Sequence, residues 1–158
     1  MAIRRIVQYP DPVLKSKAKP VTKFHDRLHK LLDDMAETMA DARGVGLAAP
    51  QVGILKRAIV VDIGEGLIEM VNPEIVERRG EQLSPPEGCL SIPNLIGDVR
   101  RANYIKVKGQ DRYGQPMEIE AEGYLARAFQ HEIDHLNGVL FIDVAERVYR
   151  PDAEGDAD

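Results

Sequence analysis

Two histidines four residues apart with a glutamate between them, His131, Glu132 and His135 in "FQHEIDHLNG", are the residues best placed to do chemistry. On an α-helix the two histidines project within about 40° of each other, so both imidazoles can reach one ion. A carboxylate facing the same cavity can exchange a proton with a water on that ion. Leu125, Phe129, Ile133 and Leu136 make the apolar side of the helix, with the histidines at its margin. Arg127, Gln130 and Asp134 take the opposite side. The histidines are therefore expected to point into a cleft rather than into open water. Catalytic ions usually take three protein ligands plus an open position. The metzincin continuation keeps its glycine, at Gly138, but has Phe141 where its last histidine belongs. Asp143, Glu146 and Glu154 lie downstream, and Cys89 lies upstream in "PPEGCLSIP", stiffened by Pro85, Pro86 and Pro93. A thiolate is a fitting third ligand. A small buried apolar thiol and a cysteine nucleophile are the other readings of Cys89.

Two further stretches imitate functional patterns. His25 and His29 repeat the four-residue spacing, but His29 projects away from its helix's apolar stripe, so this pair is expected on the surface. "GVGLAAPQVG", Gly44 to Gly53, contains a form of the dinucleotide-binding fingerprint. That fingerprint must follow a strand and open a helix. Here a helical pattern precedes it, and Pro50 and Gly53 discourage one after it. A backbone that approaches a ligand closely and presents Gln51 is the better reading.

The elements that must position these residues follow from periodicity. Phe24, Leu28, Leu31, Leu32, Met35 and Met39 recur at three and four residues, which predicts an amphipathic helix over about 23–42, stopped near Gly44. "IRRIV", "RAIVVDIG" and "EMVNPEIVERRG" read as strands. In "YIKVKGQDRYGQPMEIEAEG", Ile105 and Val107 alternate with lysines, and Met117, Ile119 and Ala121 alternate with glutamates. That pattern predicts a hairpin with one apolar face and Lys–Glu pairs on the other. A second helix is predicted over about 123–137, with Gly138 just past its end. The sum is an α+β fold, one domain over residues 1–150, with mixed or antiparallel sheets around the His-Glu-x-x-His helix. Residues 151–158 read as a disordered acidic tail.

Bulk properties exclude several classes. The 158 residues, 44% apolar and 30% charged, describe a globular chain. A net charge of −5 argues against nucleic-acid readout. No apolar run approaches a membrane span, and the N-terminus has no signal-peptide core. One cysteine forms no internal disulfide, which points to the cytoplasm.

Taken together and in order, "GVGLAAPQ", "EGCLS" and "QHEIDH" closely resemble the three signature motifs of peptide deformylases, and the similarity runs from about Ile3 to Ala145. The resemblance implies a hydrolase that removes the formyl group from formylmethionine on nascent polypeptides. It implies one divalent metal held by Cys89, His131 and His135, Fe2+ in the cell, with Zn2+, Ni2+ or Co2+ able to replace it. By position, Glu132 matches the general acid/base, and Gln51 with the Leu90 N–H matches the oxyanion donors. Gly44, Val45, Gly46, Tyr124, Arg127, Ala128 and His131 would line the methionine pocket. Asp134 and Arg101 would support the ligand helix. Two departures stand out. Ile96 occupies a place where many relatives carry an arginine or tyrosine that binds the substrate backbone, with Arg100 nearby as a substitute. Some relatives also continue into a long C-terminal helix tied to ribosome docking, so ribosome association is not expected here. The competing readings are a His-Glu-x-x-His metallopeptidase, a catalytically silent metal- or peptide-binding relative and, more distantly, a nucleotide-binding module.

Overall fold

The computed structural model describes residues 2–151. In chain order it forms α1 (Asp26–Asp41), β1 (Gly46–Ala48), β2 (Ala58–Val61), β3 (Ile68–Arg79), β4 (Glu87–Cys89) and β5 (Ile92–Asp98). There follow β6 (Tyr104–Gln110), β7 (Pro116–Glu122), α2 (Gly123–Leu136), α3 (Phe141–Val144) and β8 (Arg147–Tyr149). Five strands form one sheet in the order β1-β2-β3-β6-β7, and β4-β5-β8 form a second. All strand pairs in both sheets are antiparallel, so the mixed alternative is not realised. The expected acidic tail and Glu154 lie outside the described residues, apart from Pro151.

The run Ala58-Ile59-Val60-Val61 is buried at every position, because helices cover both faces of β2. Ile59 and Val61 join Met70, Ile105, Val107 and Ala121 beneath Ala126, Phe129, Ile133 and Leu136 of α2. Ala58 and Val60 face the other way, toward Leu28, Leu31, Leu32, Met35 and Met39 of α1. A continuous apolar run is what a strand covered on both sides requires. Each buried Val, Ile, Leu, Met or Phe among them contributes about 1.5–3 kcal/mol by leaving water. Farther along the sheet α1 gives out, and the outer face of β6 and β7 turns to solvent. There Lys106 lies opposite Glu120 and Lys108 opposite Glu118, as the alternation predicts.

Several local expectations fail for identifiable reasons. Residues 3–7 form no strand, because their backbone bonds elsewhere: Arg4 N–H donates to Thr38 Oγ1 and Val7 N–H to the Gln51 carbonyl. The turn that ends α1 places Arg43, not Gly44, in left-handed backbone at φ 59°. Gly44 serves another purpose: a Cβ there would sit 2.6 Å from Leu90 Cδ1. Gly138 does end α2 in left-handed backbone, at φ 74°. His29 is half-buried rather than on the surface, with Nε2 2.8 Å from the Arg112 carbonyl at the tip of the β6–β7 hairpin.

Candidate metal centre

The site forms where α2 crosses the inner edge of the second sheet. Strand β4 carries Cys89, and β5 folds back against it, with Cys89 opposite Ile92. Helix α2 carries His131 and His135, which are 8% and 1% exposed. The Cys89 Sγ lies 3.4 Å from His135 Nε2, and the ligand atoms of Cys89, His131 and His135 all fall within 4.8 Å of one another. Tetrahedral ligands at about 2.0–2.3 Å from an ion stand roughly 3.5 Å apart, so the cluster has the spacing for one ion. Phe141, where a metzincin would place a histidine, is buried instead and stacks on the His131 ring, with centroids 6.2 Å apart.

Glu87 orients this arrangement, and sequence reasoning missed it. Its Oε1 lies 2.8 Å from His131 Nδ1, which leaves the other ring nitrogen for the cluster. The same carboxylate accepts from Arg101 Nε and Nη2 and from Arg127 Nη1. Burial alone would raise its pKa, but the Arg101 and His131 hydrogen bonds outweigh that and hold it at about 2. Arg101 Nη1 also donates to Asp134 Oδ2 at 2.6 Å, so the expected Arg101–Asp134 partnership is an ion pair behind the ligand helix. The available signal was only its place, an acid two residues before the cysteine in "EGCLS". We expect Glu87→Gln to cost about 3–5 kcal/mol, because it leaves two buried guanidinium groups short of charge. A denaturant titration compared with wild type measures it.

The side of α2 opposite its apolar stripe is largely buried as well. Arg127 is 1% exposed and Gln130 6%. Arg127 is held by Glu87 and the Val99 carbonyl. Gln130 accepts from Ala102 N–H and donates to the Ala102 carbonyl. The segment after β5 therefore covers that face.

Glu132, 4% exposed, sits beside the cluster, and its Oε1 is buried with no hydrogen-bond partner. Burial pushes its pKa up to about 7, with His131 opposing the rise and Glu87 adding to it. Gly46 in β1 admits it: a Cβ there would meet Glu132 Oε2 at 2.4 Å. Gln51 approaches from the other side, its Nε2 3.5 Å from Cys89 Sγ. A thiol, two imidazoles and an unpartnered buried carboxylate make a donor set that fits a divalent cation. His135 Nδ1 has no partner among the described residues, so only His131 is oriented by a carboxylate.

A cavity of about 230 Å³ opens onto this cluster. All the expected pocket residues line it: Gly44, Val45, Gly46, Tyr124, Arg127, Ala128 and His131, together with Gln51, Leu90 and Glu132. Ile96 is not among its lining residues and lies in β5 opposite Tyr149. Arg100 does not line the cavity either and is paired with Glu146 and Glu81 at the surface. "GVGLAAPQVG" becomes β1 followed by a 3-10 turn over Ala49–Val52, not a helix-opening phosphate loop.

Comparison with known proteins agrees with this geometry. A family profile described as Polypeptide deformylase matches residues 3–150. The peptide deformylase of Pelotomaculum thermopropionicum is 59% identical over 94% of this chain and 95% of its own length. Peptide deformylase 1 of Bacillus subtilis is 54% identical over 99% and 98%. The crystal structure of the Thermotoga maritima peptide deformylase superposes with a TM-score of 0.89 at 50% identity, covering 92% of this chain and 99% of that one. That likeness in sequence and in a small antiparallel α+β fold, over nearly the full length of both partners, leaves one assignment: the chain belongs to the polypeptide deformylase family.

Proposed function

We propose that this chain removes the formyl group from formylmethionine at the N-terminus of newly made polypeptides, releasing formate. The observation that carries the reading is the convergence of Cys89, His131 and His135, with Cys89, His131 and Glu132 lining the cavity, in a member of this family. Cys89, His131 and His135 would hold one divalent ion, for which we take Fe2+, with Zn2+, Ni2+ or Co2+ as substitutes the same donors accept. Such an ion, when bound, polarises the formyl oxygen and makes water acidic enough to attack near neutral pH.

The chain's own residues do the rest. Glu132 accepts the proton that the attacking water loses as its oxygen bonds to the formyl carbon. Gln51 Nε2 and the Leu90 N–H donate to the oxyanion that develops on the formyl oxygen. Glu132 then returns its proton to the amine nitrogen as the C–N bond breaks, and formate leaves. Glu87 keeps the His131 ring in one tautomer throughout. Gly44, Val45, Gly46, Tyr124, Arg127 and Ala128 enclose the methionine side chain, and Arg101 with Asp134 steadies the ligand helix. We take residues 1–150 as the catalytic domain and the cytoplasm as its place of work. Among the described residues no helix is long and apolar enough to cross a membrane.

The test is formate release from a formyl-methionyl peptide by anaerobically prepared protein. Stripping the metal is expected to abolish release, and adding back a divalent ion to restore it. Full activity after complete metal removal would sink the reading.

A further inference from the structure

Gln51 has a side-chain amide that can lie two ways round, and only one of them presents a donor to the cavity. Its surroundings decide which. Ala48 N–H donates to Gln51 Oε1 at 3.0 Å, which fixes the oxygen end. The nitrogen end meets Ser91 Oγ at 3.2 Å. Ser91 is fully buried, so no water competes for that contact. An amide nitrogen carries two hydrogens in one plane. With one committed to Ser91, the other is left for the side where Cys89 Sγ lies, 3.5 Å from Nε2.

From this geometry we infer that Ser91 is a positioning residue for the reaction: its hydroxyl oxygen sets the plane of the Gln51 amide and aims the other N–H, which lies toward Cys89 Sγ, at the developing oxyanion. Ser91 does not touch the substrate itself and is absent from the residues lining the cavity. Its backbone and that of Gln51 are held independently. Val7 N–H donates to the Gln51 carbonyl at 2.7 Å, and Tyr9 N–H to the Ser91 carbonyl at 2.8 Å. Gln8 Nε2 donates to the intervening Leu90 carbonyl at 3.1 Å. Three successive residues thus brace both proposed oxyanion donors from behind. Removing the Ser91 hydroxyl deletes the amide contact and leaves that brace in place.

The inference rests on the deformylase reading, and a four-way comparison tests it: wild type, Ser91→Ala, Gln51→Ala and the double variant. Losing a whole oxyanion donor costs about 10²–10³-fold in kcat; misaiming one is expected to cost about tenfold. Ser91→Ala should therefore lower kcat about tenfold, with KM within about twofold and metal content equal to wild type. In the Gln51→Ala background the same change should alter kcat by less than about twofold, since no amide remains to be aimed. A Ser91→Ala protein with wild-type kcat overturns the inference. So does an equal loss in both backgrounds, which a purely structural role would give. A readout free of turnover separates the two readings: the Gln51 side-chain amide protons should exchange faster with solvent in Ser91→Ala. If wild type releases no formate, the function is wrong, and the exchange measurement alone decides the positioning. Unchanged exchange overturns it.

Discussion

Replacing Glu132 with glutamine removes most turnover, by about 10²–10⁴-fold, the range that positioned acid–base groups supply. Bound metal stays at wild-type level, because Cys89, His131 and His135 are untouched. The same substitution makes the metal-free protein more stable at alkaline pH. Glu132 is buried and its Oε1 unpartnered, and burial pushes its pKa from 4.5 up to about 7. The sign follows from proton linkage. A carboxyl whose folded pKa is raised contributes nothing adverse below its unfolded value, and it destabilises increasingly as pH rises toward and through the folded one. Above about pH 7 the ionised carboxylate therefore costs the metal-free fold up to about 3 kcal/mol, on the basis of about 1.4 kcal/mol per pKa unit. Thermal melts of metal-stripped wild type should lose stability between about pH 4.5 and 7, and Glu132→Gln should flatten that slope. A parallel slope in both proteins would mean that Glu132 is not the group held protonated. A residue that weakens its own fold in this way, beside a glycine whose missing side chain makes room for it, is placed for chemistry rather than for packing.

What the sequence makes legible is whatever has a period. Ile105 and Val107 against Lys106 and Lys108 define a strand of period two, and the register of β6 and β7 follows the paired alternation. The four-residue step from His131 to His135 is enough by itself to name a helix face. Where a residue's environment comes from a segment distant in sequence, that logic fails. Arg127 and Gln130 lie opposite the apolar stripe of α2, and nothing in its period shows that the chain around Val99 to Ala102 returns to cover them. Strands β4 and β8 are three residues each, too short to carry a period, so the sheet that delivers Cys89 leaves no pattern. Pro73 sits inside β3, a place a ladder strand ordinarily refuses. It is tolerated because the register shifts between Val71 and Glu74, with Asn72 at φ 52° bonding Val21 through its side chain. Glu87 was visible as an acid next to the cysteine motif. Its importance lies in Arg101, Arg127 and His131, which stand 14, 40 and 44 residues away along the chain, and only the fold assembles them.

Replacing Cys89 with alanine is expected to abolish metal retention and with it formate release. Two imidazoles on successive turns of one helix leave an ion with half of a tetrahedron, and the Glu132 carboxylate, though beside it, is not part of the ligand cluster. Cys89, His131 and His135 are the only three potential ligands so grouped among the described residues. Glu87 is not free to take the place of the thiolate, being bound to His131, Arg101 and Arg127. Metal analysis after gel filtration reads the loss directly, and a second measurement guards against misfolding. An ion that binds only the native state raises its stability by RT ln(1 + [ion]/Kd), about 2.7 kcal/mol at a hundredfold excess over Kd. Added metal should therefore raise the melting temperature of wild type and leave that of Cys89→Ala unmoved, while both melt cooperatively without metal. Full occupancy and activity in Cys89→Ala would move the third ligand to another residue. The downstream position of the metzincin pattern offers none, because Phe141 fills it and stacks on the His131 ring. A third ligand from β4 also comes with neighbours that a downstream histidine would lack. Leu90 and, through Ser91, the amide of Gln51 are fixed by the same strand end that carries the thiol. The proposed third ligand and the proposed oxyanion donors thus share one strand end, while Ala48 and residues 7–9 hold the donors without the thiol.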